Sequence, residues 1–317
     1  MRFLRTFIFL ACVAWPLSGC FFRTHTVPSH ASTATLETAT LPQLVQSING
    51  EAAKIRTLNA TVDIATAVGR QQKGKPSETK VSEYTEVRGY VLLRKPSTLR
   101  MIGLFPVVRN RLFDMVSQGD EFRLSLPTQN KFIIGKSELA HPAQHPSLEN
   151  VRPQHVLDAL LVREIPPEDI AVLEPGVESV LDVKSKKMVD QADYVVDVIE
   201  HHSDGSWTLD RKIAFSRIDL HPTKQTLFDK LGNVLTIASY ENYNNTNGIN
   251  FPSIIKIERP QEGYTIQLAM VKLTLNGPLN DDQFALAQPP GSQLIRLDSD
   301  QHTAEHKPEP QPTNRSR

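Results

Sequence analysis

Histidine side chains can ligate metals, and three histidines of this chain lie close enough in sequence to be considered as a metal site. His141 and His145 are four residues apart, and His155 follows ten residues later. Imidazole nitrogens are common zinc ligands. However, Pro142 and Pro146 favour an extended chain here rather than a helix face, and no thiolate lies nearby. The pattern therefore favours a solvated loop over a metal site.

The acidic residues and the remaining histidines do not indicate catalysis. Asp281 and Asp282 follow Pro278 in a terminal loop, where solvated carboxylates are favoured over an acid/base pair. His201 and His202 are expected on the surface at the end of a hairpin. The sequence contains no nucleophile elbow, phosphate-binding loop or dinucleotide fingerprint. We therefore predict a protein that is not an enzyme and uses no cofactor or metal.

The N-terminus has the composition of a targeting signal that ends at a cysteine. Two arginines precede an apolar stretch over residues 7–17, which is shorter than the roughly 20 residues that a membrane-spanning helix needs. The following Leu17-Ser18-Gly19-Cys20 resembles the lipobox of bacterial lipoproteins. This resemblance implies cleavage before Cys20 and acylation of that cysteine. The alternative is an ordinary secretory signal with an unrelated cysteine.

The net charge of the chain and the residues after the lipobox indicate which partners and which membrane to expect. The 35 basic and 35 acidic residues balance, which argues against a nucleic-acid partner. Phe21 and Phe22 follow Cys20, in place of the aspartate that tends to retain lipoproteins at the inner membrane. The lipoprotein resemblance therefore implies attachment to the periplasmic face of the outer membrane, through lipid on Cys20.

The sequence predicts one folded body between two unstructured segments. After the signal peptide at 1–19, residues 20–40 are rich in Thr, Ser, Ala and His and are expected to form a lipidated flexible tether. Residues 298–317 contain three prolines and no aromatic residue, so they are expected to be a disordered tail. The folded domain is then 41–297.

Within that domain, strand patterns outnumber helical ones. Apolar spacing predicts helices over 41–56 and 152–162. Twelve strand segments are expected, joined by short turns that favour antiparallel neighbours. They cover 58–68, 81–94, 97–105, 111–117, 121–126, 131–134, 194–201, 211–220, 225–228, 234–240, 251–258 and 264–275, with a polar exposed loop at 69–77. The fold class is therefore α+β, with one large antiparallel sheet.

Three segments in order carry a resemblance to a known family. They are residues 55–60 (IRTLNA), 93–100 (LRKPSTLR) and 284–291 (FALAQPPG). Together they resemble the LolA/LolB-like superfamily of lipoprotein carriers and receptors. The resemblance implies a large curved antiparallel sheet, an unclosed half-barrel whose concave face is covered by helices. It also implies an outer-membrane-anchored lipoprotein that binds acyl chains of lipids or lipoproteins. The alternative is an envelope interaction or stress-sensing protein whose cavity is filled by its own side chains.

The strand at 97–105 supplies the candidate ligand-binding residues. Alternation places Leu99, Met101 and Phe105 on one face, where they could line a cavity or form ordinary core. Arg100 points to the opposite face and is expected to be exposed. The neighbouring basic residues could meet anionic headgroups or form a solvated strand face; they are Arg94, Lys95, Arg100, Arg109 and Arg111.

Overall fold

The computed structural model describes residues 32, 34–72, 75–137, 151–182 and 186–297. The signal peptide, Cys20, the tail at 298–317, His141 and His145 lie outside these residues, so the expectations for them stay predictions. The chain divides into two compact units. Of the described residues, one unit holds Ser32 with 177–182 and 186–191, and the second unit holds the others.

Strands make up most of the described chain. Its two α-helices are α1 (Leu41–Lys54) and α2 (Pro153–Leu160), and short 3₁₀ turns cover Pro127–Gln129 and Asp281–Phe284. The strands are β1 (Thr57–Gln72), β2 (Lys75–Arg94), β3 (Thr98–Leu104), β4 (Arg111–Gln118), β5 (Glu121–Leu126), β6 (Lys131–Lys136), β7 (Ile170–Asp182), β8 (Lys187–His201), β9 (Trp207–Ser216), β10 (Pro222–Phe228), β11 (Val234–Thr246), β12 (Ile249–Arg259), β13 (Tyr264–Leu275) and β14 (Gln293–Arg296). None of the helices in this part of the chain is long and apolar enough to cross a membrane.

All fourteen described strands belong to one sheet. Their order is β14-β6-β5-β4-β3-β2-β1-β13-β12-β11-β10-β9-β8-β7, so β14 and β7 form its two edges. Neighbours pair antiparallel wherever a register is defined, except β14, which runs parallel to β6. The predicted fold class, α+β with a large unclosed antiparallel sheet, is therefore confirmed.

Both helices begin within one residue of their predicted starts, and each ends two residues before its predicted end. Thr40 caps α1, with its backbone N–H donating to Gln43 Oε1 at 2.8 Å. Leu44, Ile48 and Ala52, spaced four residues apart, form the buried stripe of α1. Helix α2 starts at a proline, whose missing N–H is harmless in a first turn.

One face of the sheet, which we call the inner face, carries the main core. Leu58, Ala60, Val62 and Ile64 alternate along β1 and are all buried there, as the pattern predicted. The core continues over the neighbouring strands to include Val91, Leu93, Leu99, Met101, Met115, Phe122, Ile133, Tyr240, Ile255, Ile257, Ile266 and Leu268, with Val156, Ala159, Leu160 and Leu161 from α2 and the residues just after it. Helix α2 therefore lies on the inner face.

The opposite, outer face has a second small core that the sequence did not predict. The segment after β13 crosses this face and buries Phe284 and Leu286 against Leu92, Val116 and Phe132. It then reaches β14, a strand that has no clear signal in the sequence. The C-terminal segment of the domain is therefore part of the fold.

Arg100 is buried beneath this segment, which corrects the expectation that it is exposed. Its side chain is 9% exposed and forms a bidentate pair with Asp114, at 2.9 and 2.7 Å. It also donates to the carbonyl of Gln283 at 2.7 Å. The alternation predicted its face correctly, but nothing local in the sequence shows that a distant segment covers that face.

Two further strand predictions were wrong. The expected loop at 69–77 lies mostly within strands, because β1 reaches Gln72 and β2 begins at Lys75 in a long hairpin. Their polar residues indicated a loop, yet backbone pairing continues through Gly69 and Val81. Strand β7 was also missed, and β8 begins seven residues before the predicted start at 194.

Candidate functional site

A cavity of about 230 Å³ lies between α1, the residues that end α2, and strands β9, β11 and β12. Its apolar walls come from both helices and from the sheet. The wall residues are Ile48, Ala52, Ile55, Leu160, Leu161, Val162, Phe215, Leu220, Pro222, Tyr240, Tyr243, Phe251 and Pro252. Polar side chains complete the lining; they are Ser47, Glu51, Asp219, His221 and Asn250. A pocket that combines apolar walls with polar groups is the usual form of a small-molecule site.

Two of the polar residues of the cavity, Asp219 and His221, lie close to each other. Asp219 Oδ2 is 3.2 Å from His221 Nδ1, although the two are not aligned as a hydrogen bond. The His221 ring stacks on Tyr243 with centroids 4.5 Å apart. Tyr243 donates its hydroxyl to the carbonyl of Pro222 at 2.9 Å, and burial raises the pKa of Tyr243 above its ordinary value. This hydroxyl is therefore protonated, and its hydrogen is already donated to a backbone carbonyl.

Tyr240, by contrast, has a buried hydroxyl with no hydrogen-bond partner among the described residues. Burial raises the pKa of Tyr240 above its ordinary value, so the group stays protonated. A buried hydroxyl without a partner costs roughly 1–3 kcal/mol. Tyr240 lines the cavity, and a guest with an acceptor oxygen that reached its hydroxyl would recover that free energy.

Helix α1 covers the cavity and is fastened to the domain at its middle. Asn49 donates from Nδ2 to the carbonyl of Ile165 at 3.1 Å and accepts from the Ile165 N–H at 2.8 Å. This reciprocal pair joins the helix to the chain that follows α2. Any displacement of α1 from the cavity must break both hydrogen bonds.

The C-terminal end of α1 is fastened by Lys95, from the 93–100 segment that carried the family resemblance, and by Asn276, which follows β13. Lys95 donates from Nζ to the carbonyl of Ala52 at 2.6 Å, where a cation also complements the helix dipole. Asn276 accepts from the Arg56 N–H at 2.8 Å and donates to the carbonyl of Lys54 at 2.7 Å. The turn between α1 and β1 is therefore a fixed point.

The chain just before α1 is held by its own contacts, made by Glu37 and Arg217. The Glu37 N–H donates to the carbonyl of Arg217, and Arg217 Nε donates back to the carbonyl of Glu37 at 3.2 Å. The guanidinium of Arg217 also lies 4.7 Å from the centre of the Tyr194 ring. The chain is thus secured beside the β9–β10 turn three residues before the cap of α1.

None of the three predicted ligand-binding residues lines this cavity. Leu99 and Met101 are buried in the inner core, where Met101 lies between Val91 and Met115 on the neighbouring strands. Phe105 lies just beyond the end of β3 and is half-buried. Contact of these residues with a ligand stays a prediction. The structure brings other residues, from α1 and β9–β12, to the cavity.

The basic residues near β3 contact protein groups as well as solvent. Arg94 pairs with Asp281 at 2.8 Å and lies over the Phe284 ring, so it holds the C-terminal segment. Arg111 joins Arg100 at Asp114. Arg109 is exposed in the turn between β3 and β4. The predicted cluster therefore divides mainly into structural ion pairs.

His155 is a buried core residue on α2. Its Nδ1 lies 2.6 Å from the Tyr264 hydroxyl. Burial, followed by the nearby charges of Arg259 and Arg152, lowers the pKa of His155 well below its ordinary value. The ring is therefore neutral at neutral pH. No group of three metal-ligating side chains occurs among the residues that the structure describes.

Sequence reasoning missed the cavity residues because they come from distant parts of the chain. Ala52 and Tyr240 are 188 positions apart, and each fits an ordinary core pattern.

A turn with exposed apolar residues was also missed. Val107 and Val108 are exposed between β3 and β4, beside the Pro106 that ends the predicted strand. Two consecutive valines in a short turn were the signal that could have shown it.

Comparison with known proteins gives similarity at the level of the fold. No protein-family model matches the chain, and no curated protein matches it. Among solved structures, it is similar to a LolA superfamily protein from Nitrosomonas europaea, at 18% identity over 76% of this chain and 97% of that chain, with a TM-score of 0.46. A DUF1329 family protein from Desulfovibrio piger is 13% identical over 76% and 94% of the two chains, with a TM-score of 0.48.

A third structure is described as an outer membrane lipoprotein-sorting protein domain from Vibrio parahaemolyticus. It is 13% identical over 76% of this chain and 94% of that chain, with a TM-score of 0.44. These matches include a protein of the LolA superfamily, the family that the sequence resembles.

Proposed function

We propose that this chain is a lipoprotein of the bacterial outer membrane that holds the acyl chain of a lipid or lipoprotein beneath α1. The observation that carries the proposal is the apolar cavity under that helix. Its walls suit a hydrocarbon chain, because burying apolar surface is favourable by about 25 cal/mol per Å². The unpartnered hydroxyl of Tyr240 suits the oxygen of an ester or carboxyl group at the end of the chain.

The size of the cavity requires α1 to move when the guest enters. About 230 Å³ is below the roughly 300–1,000 Å³ of typical ligand pockets. The helix is fixed at its C-terminal end by Lys95 and Asn276. Because Glu37 also holds the chain before the helix, we expect the middle of α1, which carries Ile48 on the cavity wall, to shift outward, with the hydrogen bonds between Asn49 and Ile165 as the contacts that open.

Binding of a fluorescent fatty-acyl probe tests the cavity. Ala52 lies on the cavity wall, so Ala52→Phe fills space that the guest needs and is expected to weaken binding by tenfold or more, on the order of 1.4 kcal/mol. The adjacent Ala53 is exposed, and Ala53→Phe adds the same side chain outside the cavity and is expected to bind like the wild type. Circular dichroism shows whether both variants keep the sheet.

Asn49→Ala completes the experiment, since it releases the middle of α1 and is expected to speed probe uptake. Equal binding by the wild type and Ala52→Phe would contradict the cavity assignment. If neither the wild type nor Asn49→Ala takes up probe, the acyl-chain function is wrong. That outcome would leave the interaction or stress-sensing protein, whose cavity is closed by its own side chains.

The membrane anchor is tested separately at Cys20. Lipobox processing needs its thiol, so Cys20→Ala is expected to remain uncleaved and to incorporate no labelled palmitate. Stable membrane attachment takes more than one acyl chain, so the variant should also leave the outer-membrane fraction. Unchanged palmitate labelling of Cys20→Ala would show that the cysteine is not the attachment site.

A further inference from the structure

An exposed hairpin tip combines apolar and basic side chains in an unusual way. It is formed by the end of β7 and the start of β8. Val177, Leu181 and Met188 are 72%, 61% and 55% exposed, although exposed apolar residues in soluble proteins are normally scattered. Lys186 and Lys187 are exposed beside Met188.

The three apolar side chains share one face of the hairpin. The side chains of Ser179 and Asp190 are hydrogen-bonded across the two strands at 2.7 Å, which identifies them as neighbours on that face. Residues two positions along a strand lie on the same face. Leu181 and Met188 are each two positions closer to the turn, so they are neighbours there, and Val177 extends the same row. We call Val177, Leu181, Met188, Lys186 and Lys187 the tip patch.

The N-terminal chain reaches this hairpin directly. The N–H of Ser32 donates to the carbonyl of Asp190 at 2.9 Å. Ser32 is twelve residues after Cys20 (32 − 20), and twelve extended residues span at most about 40 Å. If Cys20 carries lipid, as proposed above, the bilayer surface is therefore within that distance of the hairpin.

We propose that the tip patch docks on the anionic surface of the lipid bilayer that holds the anchor, with Leu181 and Met188 entering the headgroup region. Apolar side chains gain by leaving water at this depth. Lysines near an anionic membrane surface are attracted to it, and Lys186 and Lys187 are exposed at the same end of the hairpin as Leu181 and Met188. This inference rests on the proposed anchoring at Cys20 and is independent of what the cavity binds.

The experiment uses the full chain on vesicles of phosphatidylethanolamine and phosphatidylglycerol that carry a nitroxide-labelled lipid. A polarity-sensitive fluorophore is attached through Met188→Cys, and quenching by the nitroxide reports contact with the bilayer. The matched control is Leu231→Cys, in the turn after β10, which is 88% exposed and follows Lys230. The wild-type chain treated with the same dye measures background labelling of the native cysteines.

We expect strong quenching at position 188 and none above background at position 231. Adding Lys186→Gln and Lys187→Gln should lower the docking constant, obtained by titrating vesicles and following the quenching, by about fivefold for each charge removed, from about 1 kcal/mol per basic residue. Quenching at 188 that is no greater than at 231 would overturn the proposal and leave a protein partner as the occupant of the patch. Quenching that is unchanged by the lysine variants would overturn the electrostatic part.

Failure of the acyl-chain function would give a different result. The fatty-acyl probe would then not bind, while quenching at position 188 would remain. A failure of acylation at Cys20 would be seen as missing palmitate labelling, and quenching with added vesicles would still measure docking of the patch by itself.

Discussion

Asp114→Leu is expected to lower the free energy of unfolding by about 3–5 kcal/mol, because it leaves the buried guanidinium of Arg100 without a counter-charge. Asp114 is 1% exposed and accepts two hydrogen bonds from Arg100, with Arg111 also within 2.9 Å. Urea denaturation followed by circular dichroism measures the loss.

A matched control is available on the neighbouring strands. Arg88 on β2 and Asp63 on β1 form a similar bidentate pair, but in an exposed position. Exposed pairs contribute little, so Asp63→Leu should change the unfolding midpoint only slightly. The double variant Arg100→Leu/Asp114→Leu should recover much of the loss, since no buried charge remains. A loss for Asp63→Leu as large as for Asp114→Leu would refute the role of burial.

Phe284→Ala is expected to destabilise the domain by about 3–5 kcal/mol, the usual cost of removing a buried phenylalanine ring. Phe284 is fully buried on the outer face against Leu92, Val116 and Phe132. The variant leaves a cavity and also removes the contact with the guanidinium of Arg94, 5.0 Å from the ring centre. Thermal unfolding and urea denaturation should give the same loss in the free energy of unfolding.

Phe105→Ala is the control for the same deletion at a half-buried position outside the core clusters. A much smaller loss is expected there, because less apolar surface returns to water. If Phe284→Ala were as mild as Phe105→Ala, the C-terminal segment would be a loosely attached extension of the sheet.

The sequence predicted those parts of the fold whose signals are local. The four-residue spacing of Leu44, Ile48 and Ala52 indicated α1, and alternation along β1 indicated which residues face the core. These patterns depend on neighbours a few positions away, which a single sequence shows directly. The fold class followed from the short turns between successive strands.

The missed features depend on contacts between distant segments. Arg100 is buried only because residues near Gln283 return across its strand, 183 positions later. The cavity depends in the same way on α1 lying opposite β11 and β12. Leu99 and Met101 were reasonable candidates from alternation, but alternation identifies a face and cannot distinguish its filled part from its empty part.

The attachment of Glu37 to Arg217 has a mechanical consequence for an anchored protein. Tension along a tether from Cys20 would load the hydrogen bond between Ser32 and Asp190 first, and then the two between Glu37 and Arg217, before it reached the cap of α1. The hydrogen bonds between Glu37 and Arg217 therefore bear the tension, so that a force applied at the lipid does not reach α1. Opening of the cavity would then depend on the guest and on Asn49, and would be insensitive to how far the domain is stretched from the membrane.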